Sequence, residues 1–194
     1  MEPRHVLSLL VDNHAGVLAR ISGFFSRRRF NIDSLTVSAT HDPGLSRMTV
    51  ALCGDEEHLS QVMRQLEKVV DVQDVTRLCE EGAILRELLL IKISVDGRTE
   101  HYRKEVKSSI MQALRIYGGK IVDWSDEVIT LELTSDSNSV DAFINILKTH
   151  EIVDMARTGL TALERGHPHH HKREGHPRPQ LHFIEGGTHD NCLL

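Results

Sequence analysis

The sequence predicts an α+β protein made of two tandem βαββαβ modules, followed by a tail that cannot build a core. Three observations predict it. Apolar residues switch between a period of two and a period near 3.6 in a set order, that order occurs twice, and the polar stretch Cys79-Glu80-Glu81-Gly82-Ala83 parts the two copies. With 194 residues the chain can hold two small domains, and with aromatics at only 4% their cores must be built from Leu, Ile and Val.

Val6 to Val11 is apolar except for Ser8, as a central strand should be. Val17, Leu18, Ile21, Phe24 and Phe25 then recur at helical spacing, with Arg20, Arg27 and Arg28 largely on the other side, which predicts an amphipathic helix over 17–28. From Asn31 the period drops to two. Leu35, Val37 and Ala39 share one face of a strand, and Ser34, Thr36, Ser38 and Thr40 share the other. The cluster His41-Asp42-Pro43-Gly44 reads as a turn, and Arg47 to Cys53 returns as the second arm of a hairpin with Met48, Val50 and Leu52 inward. Leu59, Val62, Met63, Leu66 and Val69 trace a second helix, and Val72 to Leu78 a fourth strand.

Beyond the polar stretch the pattern starts over. Leu88 to Val95 predicts a strand, and Val106, Ile110, Leu114 and Tyr117 a helix that stops at Gly118-Gly119. Ile121 to Trp124 and Val128 to Thr134 predict a hairpin, Val140, Phe143, Ile144 and Leu147 another helix, and Ile152 to Leu163 the last strand. This order is that of the ferredoxin-like sandwich, an antiparallel sheet with two helices on one face. The expected boundaries are 4–79, 84–165 and a disordered tail over 166–194. Seven of the 13 histidines fall in that tail, with Pro168, Pro177 and Pro179 and no sustained apolar period. Clustered imidazoles can bind transition metals, but a Pro- and Gly-containing tail supplies no fixed geometry, so an extension without a specific metal site is expected. A bare sheet face on so small a module calls for a partner, and the Ser- and Thr-rich strand over 34–40 is a candidate edge for pairing between chains.

The first strand-to-helix stretch, Asp12-Asn13-His14-Ala15-Gly16-Val17-Leu18-Ala19-Arg20, holds the candidate binding site, at Asn13 to Leu18. The first N–H groups of a helix lack intrahelical partners and sit at the positive end of its dipole, so such a turn can receive an anion or a carboxylate. Asn13 is placed to cap the helix or to hold a small ligand with its amide, and Gly16 lets backbone come close. A capped turn with no ligand is the plainer reading, and Asp12 beside His14 reads as a solvated turn.

Composition narrows the classes. A formal charge of -5 argues against a nucleic-acid partner, which would call for a basic stripe. The strands also lack the stacking aromatics of an RNA-recognition module. Cys53, Cys79 and Cys192 are odd in number and widely spaced, so no disulfide framework or zinc knuckle is expected. No nucleophile with a paired base, phosphate-binding loop or dinucleotide fingerprint is present, so no catalytic residues are expected in this chain. No apolar run nears the roughly 20 residues of a membrane span, and Met1-Glu2-Pro3-Arg4-His5 is unlike a signal peptide. A cytoplasmic protein is expected.

Five strings in order carry a resemblance: Arg4-His5-Val6-Leu7-Ser8-Leu9-Leu10-Val11-Asp12-Asn13, Gly16-Val17-Leu18-Ala19-Arg20, Phe30-Asn31-Ile32-Asp33-Ser34-Leu35-Thr36-Val37, Leu45-Ser46-Arg47-Met48-Thr49 and Arg86-Glu87-Leu88-Leu89-Leu90-Ile91-Lys92. Together they closely resemble the small, regulatory subunit of acetolactate (acetohydroxyacid) synthase, over about 4–165. The resemblance implies an N-terminal ACT domain, the amino-acid-sensing form of this fold, then a C-terminal domain of related topology. It implies no chemistry in this chain. The partner would be the large catalytic subunit, which carries thiamine diphosphate, magnesium and FAD; the small subunit would raise its activity and confer feedback inhibition by valine in branched-chain amino acid biosynthesis. A stand-alone ACT-type sensor acting on another partner is the alternative.

Carried over residue by residue, the resemblance implies a valine site between the ACT domains of a homodimer. Asn13, Gly16 and Val17, with His14, Ala15 and Leu18 of the same turn, would hold the α-carboxylate and ammonium. Asn31 and Ile32 of the neighbouring chain would close the pocket, with Val17 and Ile32 as its apolar wall. Arg29 departs from the glycine usual in the family just past the first helix, which bears on the placement of Asn31.

Overall fold

The structure, a computed structural model, describes residues 3–27, 31–79, 81–96 and 99–166. Arg28, Arg29 and Phe30, and the histidine-rich tail from His167 onward, lie outside them, as do the expectations attached to them.

The first module runs β1 (Arg4–Asp12), α1 (Val17–Arg27), β2 (Ile32–Ala39), β3 (Leu45–Cys53), α2 (Glu56–Leu66) and β4 (Val72–Leu78). Its antiparallel sheet has the order β2-β3-β1-β4, so the chain's first strand is central and β2 lies at an edge. Alternation sorts the strands as the sequence predicts. Leu7, Leu9 and Val11 of β1 and Met48, Val50 and Leu52 of β3 meet Ile21 and Phe25 of α1 and Leu59, Val62 and Leu66 of α2 in one core. Asp55 caps α2, accepting from the His58 N–H at 2.7 Å, and that hydrogen bond holds its carboxyl below the usual carboxylate range. Val37 faces the helices yet remains 42% exposed, because an edge strand has a neighbour on one side only.

The second module repeats the order with β5 (Ala83–Ser94), α3 (Glu100–Tyr117), β6 (Lys120–Trp124), β7 (Val128–Ser135), α4 (Ser137–Leu147) and β8 (Ile152–Arg157), arranged β6-β7-β5-β8. Thr99 and Asp136 cap α3 and α4, and Gly118, at φ +74°, ends α3 in the left-handed conformation. Leu89, Ile91 and Ile93 of β5 pack with Ile110 and Leu114 of α3 and Phe143 and Leu147 of α4.

Two expectations are corrected. The fifth strand is longer than Leu88 to Val95, because β5 already begins at Ala83, the last residue of the polar stretch. The single last strand is two, β8 and β9 (Thr161–Glu164), broken at Thr158-Gly159-Leu160. Both corrections have one cause. Ala83 to Arg86 pair with β9 in a short ribbon that lies on the otherwise open face of the first sheet, where Val6, Ala51 and Leu78 pack against Ala83, Leu160 and Ala162. Part of the face expected to seek a partner is therefore covered from within the chain.

Contact across this seam is close. The Leu160 N–H donates to Ser34 Oγ at 3.1 Å, and a Cβ on Gly159 would stand 2.7 Å from Thr36 Oγ1 and 2.8 Å from Ser34 Oγ. A buried ion pair braces the second module at the same side: Arg157 donates to Glu87, 4% exposed, at 2.5 Å and to Asp141 at 2.5 Å.

Candidate functional site

The turn after β1 is held by the hairpin beside it. The Asn13 N–H donates to the Gly44 carbonyl at 2.8 Å, and Asn13 Nδ2 donates to the Pro43 carbonyl at 2.9 Å. Asn13 is thus a clamp between the turn and the β2–β3 loop, and it does not cap α1, whose N-cap position is Gly16, three residues further on. The helix starts at the Gly16 carbonyl, which accepts from the Arg20 N–H at 3.0 Å. Gly16 has φ +93°, and nothing lies within 4 Å of where its Cβ would be. A side chain there would be strained by the backbone and would stand in the open mouth of the turn. Among the described residues the N–H groups of Ala15, Gly16 and Leu18 have no acceptor, which leaves donors at the positive end of α1.

Beneath the turn lies Asp71, 3% exposed. Its carboxylate receives the Arg20 guanidinium and stands 3.4 Å from His14 Nε2, while its carbonyl accepts from the Asp12 N–H at 2.9 Å. Asp12 Oδ1 in turn accepts from Gln73 Nε2 at 2.7 Å. Asp12 is therefore part of a hydrogen-bonded brace, while His14 stays half-exposed beside it. Ligand atoms of Asp12, His14 and Asp71 lie within 4.8 Å of one another, the spacing of a cation site. Arg20 already neutralises Asp71, however, so the group is built as a support for the turn.

Of the residues expected to bind an effector, Asn13, His14, Ala15, Gly16 and Leu18 come together as an exposed rim, with Leu18 48% exposed. Val17 does not serve as an apolar wall. Its side chain is 3% exposed and packs in the core, because the first residue of α1 points at the sheet; Leu18 is the apolar side chain that faces out. Asn31 and Ile32 lie elsewhere. Asp12 pairs with Leu45 at one end of β3, and Ile32 pairs with Leu52 near the other. The seven intervening steps amount to about 23 Å. One chain cannot close a pocket with both sets.

Residues that sequence reasoning missed are Asp71 and Gln73, together with Pro43 and Gly44 as a wall; Arg20 reads from the sequence only as a residue on the outer side of the helix. Asp71 follows the second helix in a stretch that reads only as the lead into a strand. Its burial depends on long-range packing that no local pattern announces.

Family comparison agrees with the fold and the two-part order of the chain. A model described as the acetohydroxyacid synthase small subunit-like ACT domain matches residues 7–74, and one described as the small subunit of acetolactate synthase matches 86–166. The chain is 41% identical over 167 residues to a probable acetolactate synthase small subunit of Methanothermobacter thermautotrophicus, covering 86% of this chain and 96% of that one. It is 42% identical over 164 residues to the acetolactate synthase isozyme 3 small subunit of Escherichia coli, covering 84% and 96%. The crystal structure of the acetolactate synthase small subunit from Thermotoga maritima superposes with a TM-score of 0.75 at 36% identity, covering 86% of this chain and 99% of that one. The chain belongs to the family of acetolactate synthase small subunits.

Proposed function

We propose that the chain is the regulatory subunit of an acetolactate synthase: it binds the large catalytic subunit, raises that subunit's activity and confers feedback inhibition by valine. The observation that carries this reading is the Gly16 turn, with free N–H groups at the head of α1 and no side chain in its mouth. A zwitterionic amino acid needs donors for its carboxylate and an acceptor for its ammonium. The turn offers both, since Asn13 Oδ1 is left over when Nδ2 is committed to Pro43. The separation of Asn31 and Ile32 from the turn fits a site closed by a second copy of the chain, so the effector-bound form would be a homodimer joined through its ACT modules.

Valine shifts the population of dimer arrangements only by binding one better than another, and that arrangement must meet the catalytic subunit differently. Thiamine diphosphate, magnesium and FAD belong to the catalytic subunit in this reading, and the pair works in the cytoplasm. An apolar wall discriminates by only roughly 1 to 3 kcal/mol per methylene, so leucine and isoleucine act as well.

The test is pyruvate condensation by the large subunit, alone and with this chain, against valine concentration. Activation by the chain with valine inhibition that Asn13→Ala abolishes, activation persisting, is the expected result. Loss of activation and inhibition together in Asn13→Ala would mean that the turn serves assembly. A wild-type chain that binds valine but leaves the large subunit unchanged would make it a sensor for another partner.

A further inference from the structure

A cavity of about 450 Å³ lies at the seam between the two modules, walled by β1, β4, the ribbon and the head of α4, and away from the Gly16 turn. Among the described residues its lining includes four arginines, Arg4, Arg77, Arg86 and Arg165, against a single carboxylate, Asp136. In a chain of formal charge -5 this is a local reversal of sign. Concave walls of low dielectric concentrate such a field.

The charges are unequal in what they already hold. Arg77 is matched, donating two hydrogen bonds to Glu56 at 2.6 and 2.7 Å. Arg4 is matched weakly, with Asp33 at 4.0 Å and the Ser137 hydroxyl at 3.4 Å. Arg86 and Arg165 hold only carbonyls, those of Leu85 at 2.7 Å and Ala83 at 3.2 Å, and neither forms an ion pair among the described residues. Asp136 keeps its charge but forms no ion pair with them among the described residues. Its carboxylate is taken up at the head of α4, where it accepts from the Ser139 N–H at 2.9 Å and the Ser139 hydroxyl at 2.8 Å.

We propose that this cavity binds a small anion bearing two or more charged oxygen groups, of the phosphate or carboxylate kind, with Arg86 and Arg165 as its principal ligands and Arg4 as the third. A guanidinium presents a planar fork of donors that suits either oxyanion. The volume suits a compact metabolite and excludes a folded partner. Arg86 lies on β5 and Arg165 directly follows β9, so both belong to the ribbon, whereas Arg4 belongs to β1. A bound anion therefore ties the second module to the first, and occupancy stabilises the arrangement of the two. This site is independent of the valine reading, because it uses none of the residues of the Gly16 turn.

The test uses the full chain at low ionic strength near pH 8. Inorganic pyrophosphate and citrate are titrated in separate arms by calorimetry and by thermal unfolding, against potassium chloride of equal ionic strength. Saturable binding of either anion with a rise in unfolding temperature is expected; which arm saturates tells phosphate from carboxylate chemistry. Arg86→Gln and Arg165→Gln each weaken it at least tenfold, while Arg115→Gln on the exposed side of α3 leaves it unchanged. Should either variant fail to fold, protection of Arg86 and Arg165 from phenylglyoxal by the anion, read by mass spectrometry on the wild-type chain, takes its place. Saturation by neither anion, equal weakening by Arg115→Gln, or no protection overturns the proposal.

Discussion

The Leu160 N–H donates to Ser34 Oγ at 3.1 Å, and through that hydrogen bond the segment between β8 and β9 is fastened to the edge strand of the first sheet. Gly159, next to it, can lie there only because it has no side chain: a Cβ would meet Thr36 Oγ1 at 2.7 Å and Ser34 Oγ at 2.8 Å. Its φ is not in the left-handed range, so the demand is for space and not for backbone freedom.

Gly159→Ala is expected to destabilise the chain by about 1–3 kcal/mol, the usual range for overpacking. The clash involves two small hydroxyl side chains, and Ser34→Ala removes one of the opposing oxygens. Combined with Gly159→Ala, Ser34→Ala should therefore cost less than the sum of the two single losses, a coupling that denaturant unfolding of the four proteins would measure. Strict additivity would mean that the seam opens in solution.

The ribbon that makes this seam shows where sequence reading stops. Alternation in Arg47 to Cys53 and helical spacing from Val17 to Phe25 are local, and they placed the sheet and its helices because each element's buried face is written in its own residues. Ala83 to Arg86 carries no such mark. Its partner is β9, and its burial is against Val6 and Leu78 of the other module, so the polar residues before it dominate the local pattern. The site divides in the same way. Asn13 and Gly16 were legible as a turn at a helix head, whereas the clamp to Pro43 and the brace on Asp71 arise from contacts between residues far apart in sequence.

Asp71→Asn tests that brace. The carboxylate is buried, but the side chains of Arg20 and His14 are each 53% exposed and would return to water when released, so the loss is expected to be modest, about 1–2 kcal/mol. The larger effect should fall on the turn, which loses the charge that holds Arg20. Weaker valine inhibition with activation retained is expected in the pyruvate condensation assay. Unchanged inhibition would show that the turn keeps its shape without the brace.

His150 supplies a pH dependence. Its Nε2 lies 2.9 Å from Ser109 Oγ between α4 and α3, and burial pushes its pKa below the ordinary imidazole value. The unfolded chain therefore takes up a proton more readily than the folded one. The stability this site contributes is fully present above the unfolded value of about 6.5 and is lost as pH falls through it toward the folded value. His150→Asn should flatten the fall in unfolding temperature between about pH 7.5 and 5.5 relative to the wild type. Identical pH profiles would place the acid sensitivity in other groups.

The distance between Asn13 and Asn31 allows the proposed two-chain site to be tested by mixing variants. Asn13 is clamped at the Gly44 end of the first sheet, and Ile32, next to Asn31, pairs with Leu52 near its opposite end. If each site takes its turn from one chain and Asn31 from the other, Asn13→Ala and Asn31→Ala homodimers both lose valine inhibition. In a mixed dimer, however, both substitutions fall in one site, and the second site is assembled entirely from unaltered residues. Co-expressed variants, separated by different affinity tags to isolate the mixed dimer, should regain partial inhibition when paired with the large subunit. A site contained within one chain behaves otherwise, since every chain of the mixed dimer then carries a damaged site. Inhibition no greater than in either homodimer would exclude closure of the site by a second chain.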